Sequence, residues 1–403
     1  MAVRGPLVWM FLMCYIFSHI IISHNTDLVE AKSFSKSEDL EIGKRLKTIN
    51  KPAVKIIKTI HGERYGCVDF FKQPAFDHPS MKNHTYHYNM RPMRETKINS
   101  TGFGYLWENG VGCPIGTVPI RRVTKDDLLR LDSFGDNHKP RGSWNASTTY
   151  DPNNNGRFDQ NHYAVVRTKN IGMKFNGATM ELCVTAPKVE PTQFSSSRFH
   201  MQMGNDFVQV GLTVNPGFYK DNQPRTFVYT SAGGKRCFNS NCPVGIIIVR
   251  QDFPIGAPIP AKEVSRRGAK TSTYVTMGLI KDERNGNWWF EYGGDAVEVG
   301  FWPSSRFHQS FGNYIEWGGE VYRHSASLPR PEMGFGKLPM RVMNYDAYIR
   351  HITILDGNFN IDRNVKYVEI FRDDFLSYEV ADIKDPHTPH DGHLIFFGGP
   401  ESN

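Results

Sequence analysis

The part of the chain after residue 160 consists of short segments in which apolar and polar side chains alternate, separated by glycine-containing turns. In residues 274–280, for example, Val275, Met277 and Leu279 recur at every second position. This spacing is typical of β-strands, because successive strand side chains point to opposite faces of a sheet. The same part has no pattern of a long amphipathic helix. The alternation therefore predicts an all-β fold, either a sandwich or a barrel.

The part before residue 133 has a mixed pattern, which predicts a small α+β unit. A helix is expected at residues 36–49, and two strands are expected on either side of the turn His61-Gly62. Thr124 and Asp127 have the spacing of a capping box and precede a leucine-rich segment. They predict a second short helix at that point.

The polar, turn-rich residues 133–160 predict an exposed linker between the two parts. The chain is 403 residues long, which fits two domains. We therefore divide it into a leader, a first domain, a linker and a second domain, at residues 1–25, 32–132, 133–160 and 161–403.

Residues 1–25 have the features of a secretory signal peptide: Arg4, then the apolar run 7–22, then polar residues. An uncleaved signal anchor is the alternative.

The net charge of +7 is small for this length, and the mean hydropathy is -0.46. These values exclude a multipass membrane protein and do not indicate a nucleic-acid partner. We expect a secreted monomer without a membrane attachment once the leader is removed.

The cysteine positions fit an oxidising compartment. Cys14 leaves with the leader, so five cysteines remain. Two disulfides are predicted and the fifth cysteine is expected to be a buried free thiol. The predicted pairs are Cys67 with Cys113 and Cys237 with Cys242, which leaves Cys183 unpaired.

Three sequons, at Asn83, Asn99 and Asn145, predict N-glycosylation in the first part of the chain. No cysteine or histidine cluster there or elsewhere has the spacing of a metal site, and we predict neither a metal nor a cofactor. His387, His390 and His393, with neighbouring aspartates, are interpreted as an exposed polar turn, with metal binding as the alternative.

Two segments each place one polar group beside a glycine on a face that is not part of the core. In residues 207–214 the valines and Leu212 form the apolar face, and Gln209 and Gly211 lie on the other. Gly211 would let a ligand approach the sheet. If both segments belong to one concave sheet, their polar groups meet across a groove; otherwise each is an ordinary solvent-facing residue.

The second of these segments is residues 314–322. Glu320 and Gly318 lie on its polar face, together with Tyr314 and Tyr322. The four residues that we expect to line a substrate groove are Gly211, Gly318, Tyr314 and Tyr322.

At these residues the sequence resembles the plant neprosin family, secreted glutamic peptidases made with an amino-terminal activation domain. Most of the chain carries the resemblance. The matching segments are Cys67-Val-Asp, Gln73-Pro-Ala-Phe-Asp-His-Pro79, Cys113-Pro-Ile-Gly-Thr-Val-Pro-Ile-Arg-Arg122, Tyr163-Ala-Val-Val, Gly286-Asn-Trp-Trp289, Val299-Gly-Phe-Trp-Pro-Ser304, Trp317-Gly-Gly-Glu-Val321, Met333-Gly-Phe-Gly336 and Phe397-Gly-Gly-Pro400. The resemblance implies an antiparallel, jelly-roll-like β-sandwich with its active site in a concave groove.

The resemblance also implies the catalytic residues. The second glutamate of the family pair matches Glu320, but the position of the first is occupied by Gln209. Fungal glutamic peptidases of a similar fold use a glutamine and a glutamate. Glu320 would then act as general base and Gln209 would bind the oxyanion, because an amide donates hydrogen bonds at any pH.

The segments around the groove depart from the family at several positions. His200, Leu212 and Thr230 occur where relatives tend to have tryptophan, and Arg198 where they tend to have glutamine. These changes put the family's preference for cleaving near proline in doubt. The alternative to an active peptidase is an inactive sandwich that binds peptide or cell-wall polysaccharide.

The resemblance further implies a zymogen whose partners are its own propeptide and a peptide or protein substrate. It places the protein in the cell wall or apoplast, with the vacuole as the alternative. We hypothesise that acid charges histidines of the first part and loosens its hold on the groove. The histidines concerned are His61, His78, His84, His87 and His138.

Overall fold

The computed structural model describes residues 36–82, 102–134, 138–144, 146, 160–169, 171–384 and 393–400. The chain divides into two compact units, residues 1–44 and residues 45–403. None of the helices in the described ranges has the length and hydropathy to cross a membrane. Some predicted features lie outside these ranges and stay predictions. They are the leader at residues 1–25, the sequons at Asn83, Asn99 and Asn145, and the histidines His84, His87, His387 and His390.

The part before residue 135 contains the predicted helices and strands. Among the described residues of this part, the α-helices are α1 (Lys36–Ile49) and α2 (Lys125–Phe134). The capping box forms as predicted, because Asp127 accepts from the amide of Thr124 at 2.9 Å and Thr124 Oγ1 accepts from the amide of Asp127 at 3.1 Å. The three-stranded antiparallel sheet of this part has the order β1 (Ala53–Lys58), β2 (Arg64–Asp69) and β3 (Thr117–Arg121).

The rest of the described chain forms two large antiparallel sheets, of seven and nine strands within the described ranges. The first has the order β17 (Val368–Arg372), β4 (Asn161–Thr168), β14 (Tyr314–Tyr322), β6 (Phe194–Met203), β7 (Asp206–Val214), β8 (Arg225–Ala232), β9 (Lys235–Phe238). The second has the order β10 (Ile247–Ile248), β13 (Val297–Trp302), β12 (Trp288–Tyr292), β11 (Tyr274–Lys281), β5 (Phe175–Cys183), β15 (Ala347–Asp356), β19 (His393–Gly398), β18 (Glu379–Lys384), with β16 (Ile361–Asp362) beside β15. A short helix, α3 (Pro216–Tyr219), follows β7.

One apolar core lies between the two large sheets. Phe199 and Val210 of the seven-stranded sheet belong to the same cluster as Met180 and Leu279 of the nine-stranded sheet. The prediction of an all-β sandwich is therefore confirmed. Burial of these side chains is the main source of the stability of such a fold.

The three-stranded sheet contributes to this same core. Val68, Phe70, Val118 and Ile120 are buried in the cluster that fills the sandwich. The first part of the chain therefore packs on the sandwich through apolar side chains rather than through polar surface contacts alone.

The cysteines have the predicted arrangement. Disulfides join Cys67 with Cys113 and Cys237 with Cys242, and Cys183 is a buried free thiol. Residues 244–249 form a strand only at Ile247–Ile248, because the amides of the preceding residues close the turn at the second disulfide instead of pairing with another strand.

Candidate active site

The seven-stranded sheet places the candidate residues on three adjacent strands. In its register Gln209 of β7 is opposite His200 of β6, which is opposite Glu316 of β14. The next row joins Gly211, Arg198 and Gly318. Cross-strand partners share a face of the sheet. These side chains therefore gather on the face that points away from the core, as the alternation predicts.

Gln209 and Glu320 are in direct contact. Gln209 Nε2 donates to Glu320 Oε2 at 3.0 Å, and both side chains are 0% exposed. The alternative that they are ordinary solvent-facing residues is therefore wrong. The amide oxygen of Gln209 is buried and accepts no hydrogen bond from the described residues. It is an acceptor available to a water molecule or a ligand, since buried polar atoms are rarely left without a partner.

His200 fixes the orientation of the Gln209 amide. His200 Nδ1 lies 3.2 Å from Gln209 Nε2, and His200 Nε2 lies 2.8 Å from Gln202 Oε1. Burial lowers the pKa of His200 to about 4, although Glu316 acts in the opposite direction. The neutral ring therefore donates to Gln202 and accepts from Gln209, which leaves the second Gln209 hydrogen for Glu320.

Arg198 joins two buried carboxylates. Its Nη2 lies 2.5 Å from Glu316 Oε1 and 3.2 Å from Glu320 Oε2. Burial lowers the pKa of a guanidinium, but the two glutamates reverse this and raise the pKa of Arg198. The guanidinium is a permanent charge between the two carboxylates, which are themselves fully buried.

Glu316 is held ionised by its surroundings. Burial raises the pKa of this carboxyl, but Arg198, His200 and hydrogen bonds from Ser143 and Tyr314 lower it to about 2. Tyr314 Oη donates to Glu316 Oε2 at 2.6 Å. Burial and this carboxylate together raise the pKa of Tyr314, so its hydroxyl keeps its proton.

A segment from the predicted linker covers the pair. We call residues 138–144 the covering segment. The amide of Arg141 donates to Glu320 Oε1 at 2.7 Å, and the amide of Ser143 donates to Glu316 Oε1 at 3.0 Å. The prediction that residues 133–160 are exposed is therefore wrong for part of the covering segment. His138, Pro140, Gly142 and Ser143 are buried, because the buried carboxylates replace water as partners of the main chain.

The covering segment runs along β14 in the opposite direction. His138 packs edge-on against the ring of Tyr322 at 5.0 Å, at the carboxyl end of β14. Trp144 packs against the ring of Tyr314 at 4.8 Å, at the amino end of the strand. Both tyrosines that were predicted to line the groove therefore contact this segment of the chain.

Gly211 and Gly318 are positions where a side chain would collide with the sheet itself. A Cβ on Gly211 would lie 2.3 Å from the carbonyl oxygen of Ser197 and 2.5 Å from Cβ of Arg198. A Cβ on Gly318, whose φ is +141°, would lie 2.3 Å from the carbonyl oxygen of Ala164. These glycines make room for neighbouring strands of the same sheet, on either side of Arg198.

Two of the substituted tryptophan positions do not face the groove. Leu212 belongs to the core between the sheets. Thr230 is opposite Val208, which also belongs to this core, and its Oγ1 accepts from Trp302 Nε1 at 2.9 Å. Only His200 of the three lies beside Gln209, so the expectation that Leu212 and Thr230 reshape the groove is wrong.

Comparison with known families decides the identity of the chain. The Neprosin family model matches residues 191–400, and the model of the Neprosin activation peptide matches residues 56–167. The chain belongs to the neprosin family. It has the organisation of a peptidase zymogen, since an activation peptide precedes the neprosin domain. The covering segment lies within the match to the neprosin activation peptide.

Solved structures with similarity to this neprosin-family chain include two peptidases. One is scytalido-glutamic peptidase with a peptide based transition state analog, with a TM-score of 0.32 and 6% identity over 60% of this chain and 98% of that chain. The other is SCP-B, a member of the Eqolisin family of peptidases, in a complex with the tripeptide Ala-Ile-His. Its TM-score is 0.31, with 6% identity over 60% of this chain and 98% of that chain.

Sequence reasoning missed part of the site in this neprosin-family chain. It assigned no role to Glu316 or to Ser143, and it noted Arg198 only as a departure from the family. The period-two alternation could have indicated Glu316, which lies four residues before Glu320 on the same face. No such signal exists for Ser143, because its contact with β14 is a tertiary one.

Proposed function

We propose that the protein is the zymogen of a glutamic endopeptidase with a glutamine–glutamate pair. The observation that carries the proposal is that Glu320 accepts from the Gln209 amide and from a main-chain amide on different oxygens. Gln209 Nε2 donates to one oxygen of Glu320, and the main-chain amide of Arg141 donates to the other. A polypeptide main chain therefore lies at hydrogen-bonding distance from the proposed general base.

In the proposed reaction Glu320 takes a proton from water, and the resulting hydroxide attacks the scissile carbonyl carbon. The Gln209 N–H that donates to Glu320 in the zymogen turns to the oxyanion that forms, and Glu320 returns the proton to the leaving amine. The amide of Arg141 already donates to Glu320 Oε1. While Arg141 stays there, water and substrate have no access to this oxygen, which supports the proposal of a zymogen.

A second candidate is a catalytically inactive member that binds peptides. The ion pair of Arg198 with Glu320 favours it, because the charge of the proposed base is shared with a buried guanidinium. Glutamine at position 209 also cannot give up a proton, unlike the glutamate of the family pattern. Both candidates assign the groove to a peptide, and they differ in whether the peptide is cut.

The test is a peptidase assay from pH 3 to pH 7 on a denatured protein, with wild type and Gln209→Glu. We expect the wild type to cut the substrate in acid after the covering segment is released. Activity in Gln209→Glu alone would overturn the glutamine–glutamate pair and support the inactive binder.

We also propose that the protein acts outside the cell, which requires that the leader at residues 1–25 direct secretion.

We expect acid to release the covering segment through His138. Burial lowers the pKa of His138 to about 4, a backbone hydrogen bond involving Gln193 opposes this shift, and His324 adds to it. In a released segment the pKa returns to about 6.5. As the pH falls from 6.5 to 4, His138 therefore takes up a proton in the released segment before it does so in the docked segment. The free energy that holds the covering segment in place falls by up to about 3 kcal/mol.

Hydrogen exchange of residues 138–144 between pH 7 and pH 4 measures this release. His138→Phe keeps a ring against Tyr322 but cannot be charged, so we expect release to shift to lower pH. Some dependence on pH remains, because His200 also faces the segment and has a pKa of about 4. His61→Phe, in an exposed turn, is the control and should behave as wild type. Release at one pH in all three proteins would contradict the role of His138.

A further inference from the structure

The contacts of the covering segment show which residues fit two adjacent positions of the groove. Arg141 meets Glu320, Ser143 meets Glu316 and Trp144 meets Tyr314, in the order of the residues along β14. The groove residues remain when the segment leaves. A substrate that replaces the segment therefore meets the same side chains.

Gly142 occupies a position where only glycine fits. Its φ is +77°, and a Cβ built on it would lie 2.6 Å from His200 Nδ1 and 2.7 Å from His200 Cε1. The His200 ring cannot turn aside easily, because it is fully buried and both of its nitrogens have hydrogen-bond partners, Gln209 and Gln202. The positive φ of Gly142 and the short distance to the His200 ring therefore both exclude any residue other than glycine at this position.

Ser143 occupies a position that is built for a hydroxyl group. Its amide lies 3.0 Å and 3.1 Å from the two oxygens of Glu316, and its hydroxyl donates to Glu316 Oε2 and lies 2.9 Å from Tyr314 Oη. Glu316 is fully buried and ionised, so its oxygens need hydrogen-bond donors in place of water. The hydroxyl of a bound ligand supplies such a donor. An alanine at this position leaves part of that acceptor capacity unused.

We propose that the groove selects polypeptides with a glycine followed by a serine. His200 restricts the first position to glycine, and Glu316 with Tyr314 binds the hydroxyl of the second. The inference extends the proposed peptidase function, since it names the class of substrate, but it concerns binding. A chain that binds such peptides without cutting them would retain the inference and disprove the peptidase.

The experiment opens the groove in the full-length chain and adds peptides. Gly142→Arg places a side chain against His200 and should eject the covering segment, which hydrogen exchange of residues 138–144 verifies. Gly62→Arg is the matched control, because Gly62 also has a positive φ of +81° but has nothing within 4 Å of its Cβ position. In that control the segment should stay docked and exclude peptides. A segment that stays docked in Gly142→Arg would overturn the proposal.

Binding is measured by fluorescence anisotropy at pH 7 with labelled Lys-Pro-Arg-Gly-Ser-Trp, the sequence of residues 139–144. Replacing its glycine by alanine should weaken binding by about 100-fold or more, because the clash or the strain must be relieved. Replacing its serine by alanine should weaken binding by about 10- to 100-fold, the range for a hydrogen bond to a charged group.

His200→Ala, added to Gly142→Arg, provides a reciprocal test. The shortened side chain should restore binding of the alanine-containing peptide to within about threefold of the glycine peptide, a change that a merely structural role of His200 would not produce. Equal affinity of the three peptides for Gly142→Arg would overturn the proposal, as would no binding at all once the segment is released. If His200→Ala does not fold, the three affinities for Gly142→Arg alone decide.

Discussion

Replacing Glu320 by glutamine is expected to lower the rate of peptide hydrolysis by about 10²–10⁴-fold. The amide that replaces the carboxylate has the same shape and still accepts from Asn161 Nδ2, which lies 3.0 Å from Glu320 Oε1 in the wild type. It cannot take a proton from water. The loss should appear in kcat, because the groove that binds the peptide is otherwise retained.

The measurement is the initial rate on a peptide that carries the glycine–serine pair, in acid, for wild type and Glu320→Gln. Glu283→Gln is the control, since Glu283 lies in an exposed turn outside the groove. Thermal unfolding of each variant separates lost chemistry from lost structure. A Glu320→Gln protein that keeps more than about a tenth of the wild-type rate would contradict the role of Glu320 as general base.

Replacing Arg198 by methionine is expected to lower the free energy of unfolding by about 3–5 kcal/mol. Methionine fills similar space, but it leaves Glu316 and Glu320 buried without the cation between them. Two carboxylates in a site of low polarity repel each other and have lost the solvation of water. The variant should therefore be far less stable near pH 7, where both carboxylates of the wild type have the Arg198 charge as partner.

Denaturant unfolding at several pH values measures this effect. Arg330→Met is the control, because Arg330 is partly exposed and its pair with Asp374 should contribute at most about 1 kcal/mol. In the wild type the low pKa of Glu316, about 2, stabilises the fold above pH 4.5, and this contribution is lost as the pH falls from 4.5 to 2.

In Arg198→Met the cation is absent, so burial raises the pKa of Glu316 instead. Protonation of Glu316 then removes its charge and with it the repulsion between the two buried carboxylates. The difference in stability between variant and wild type should therefore narrow as the pH falls towards 4.5, where the variant recovers stability, and narrow further between pH 4.5 and 2, where the wild type loses it. A loss of less than about 1 kcal/mol at pH 7 would show that water or another group solvates the carboxylates without Arg198.

The two-residue period of strands predicted the sandwich and placed Gln209 and Glu320 on faces away from the core, whereas their pairing was implied only by the resemblance to the neprosin family. The sequence did not predict Arg198 as the cation between two carboxylates. Alternation places Arg198 on the groove face but says nothing about which neighbour its long side chain reaches. The glycines beside it were assigned to ligand access, although Gly211 and Gly318 make room for strand neighbours.

The covering segment was beyond prediction from local pattern for a different reason. Polar, turn-rich residues are usually solvated, and this composition predicts exposure. Here the main-chain amides of Arg141 and Ser143 donate to the carboxylates of β14, which lie more than 170 residues away in the sequence. Which residues come together at such separations depends on the whole fold and not on the segment itself.

The shared apolar core has a consequence for how an activated molecule is built. Val68, Phe70, Val118 and Ile120 are buried against the sandwich by side-chain contacts, which involve no peptide bond between the two parts. We therefore expect that hydrolysis of a peptide bond between the two parts leaves the three-stranded sheet bound as part of a non-covalent subunit. Access to the groove would then require only that the covering segment move, while the rest of this subunit stayed bound in the mature protein.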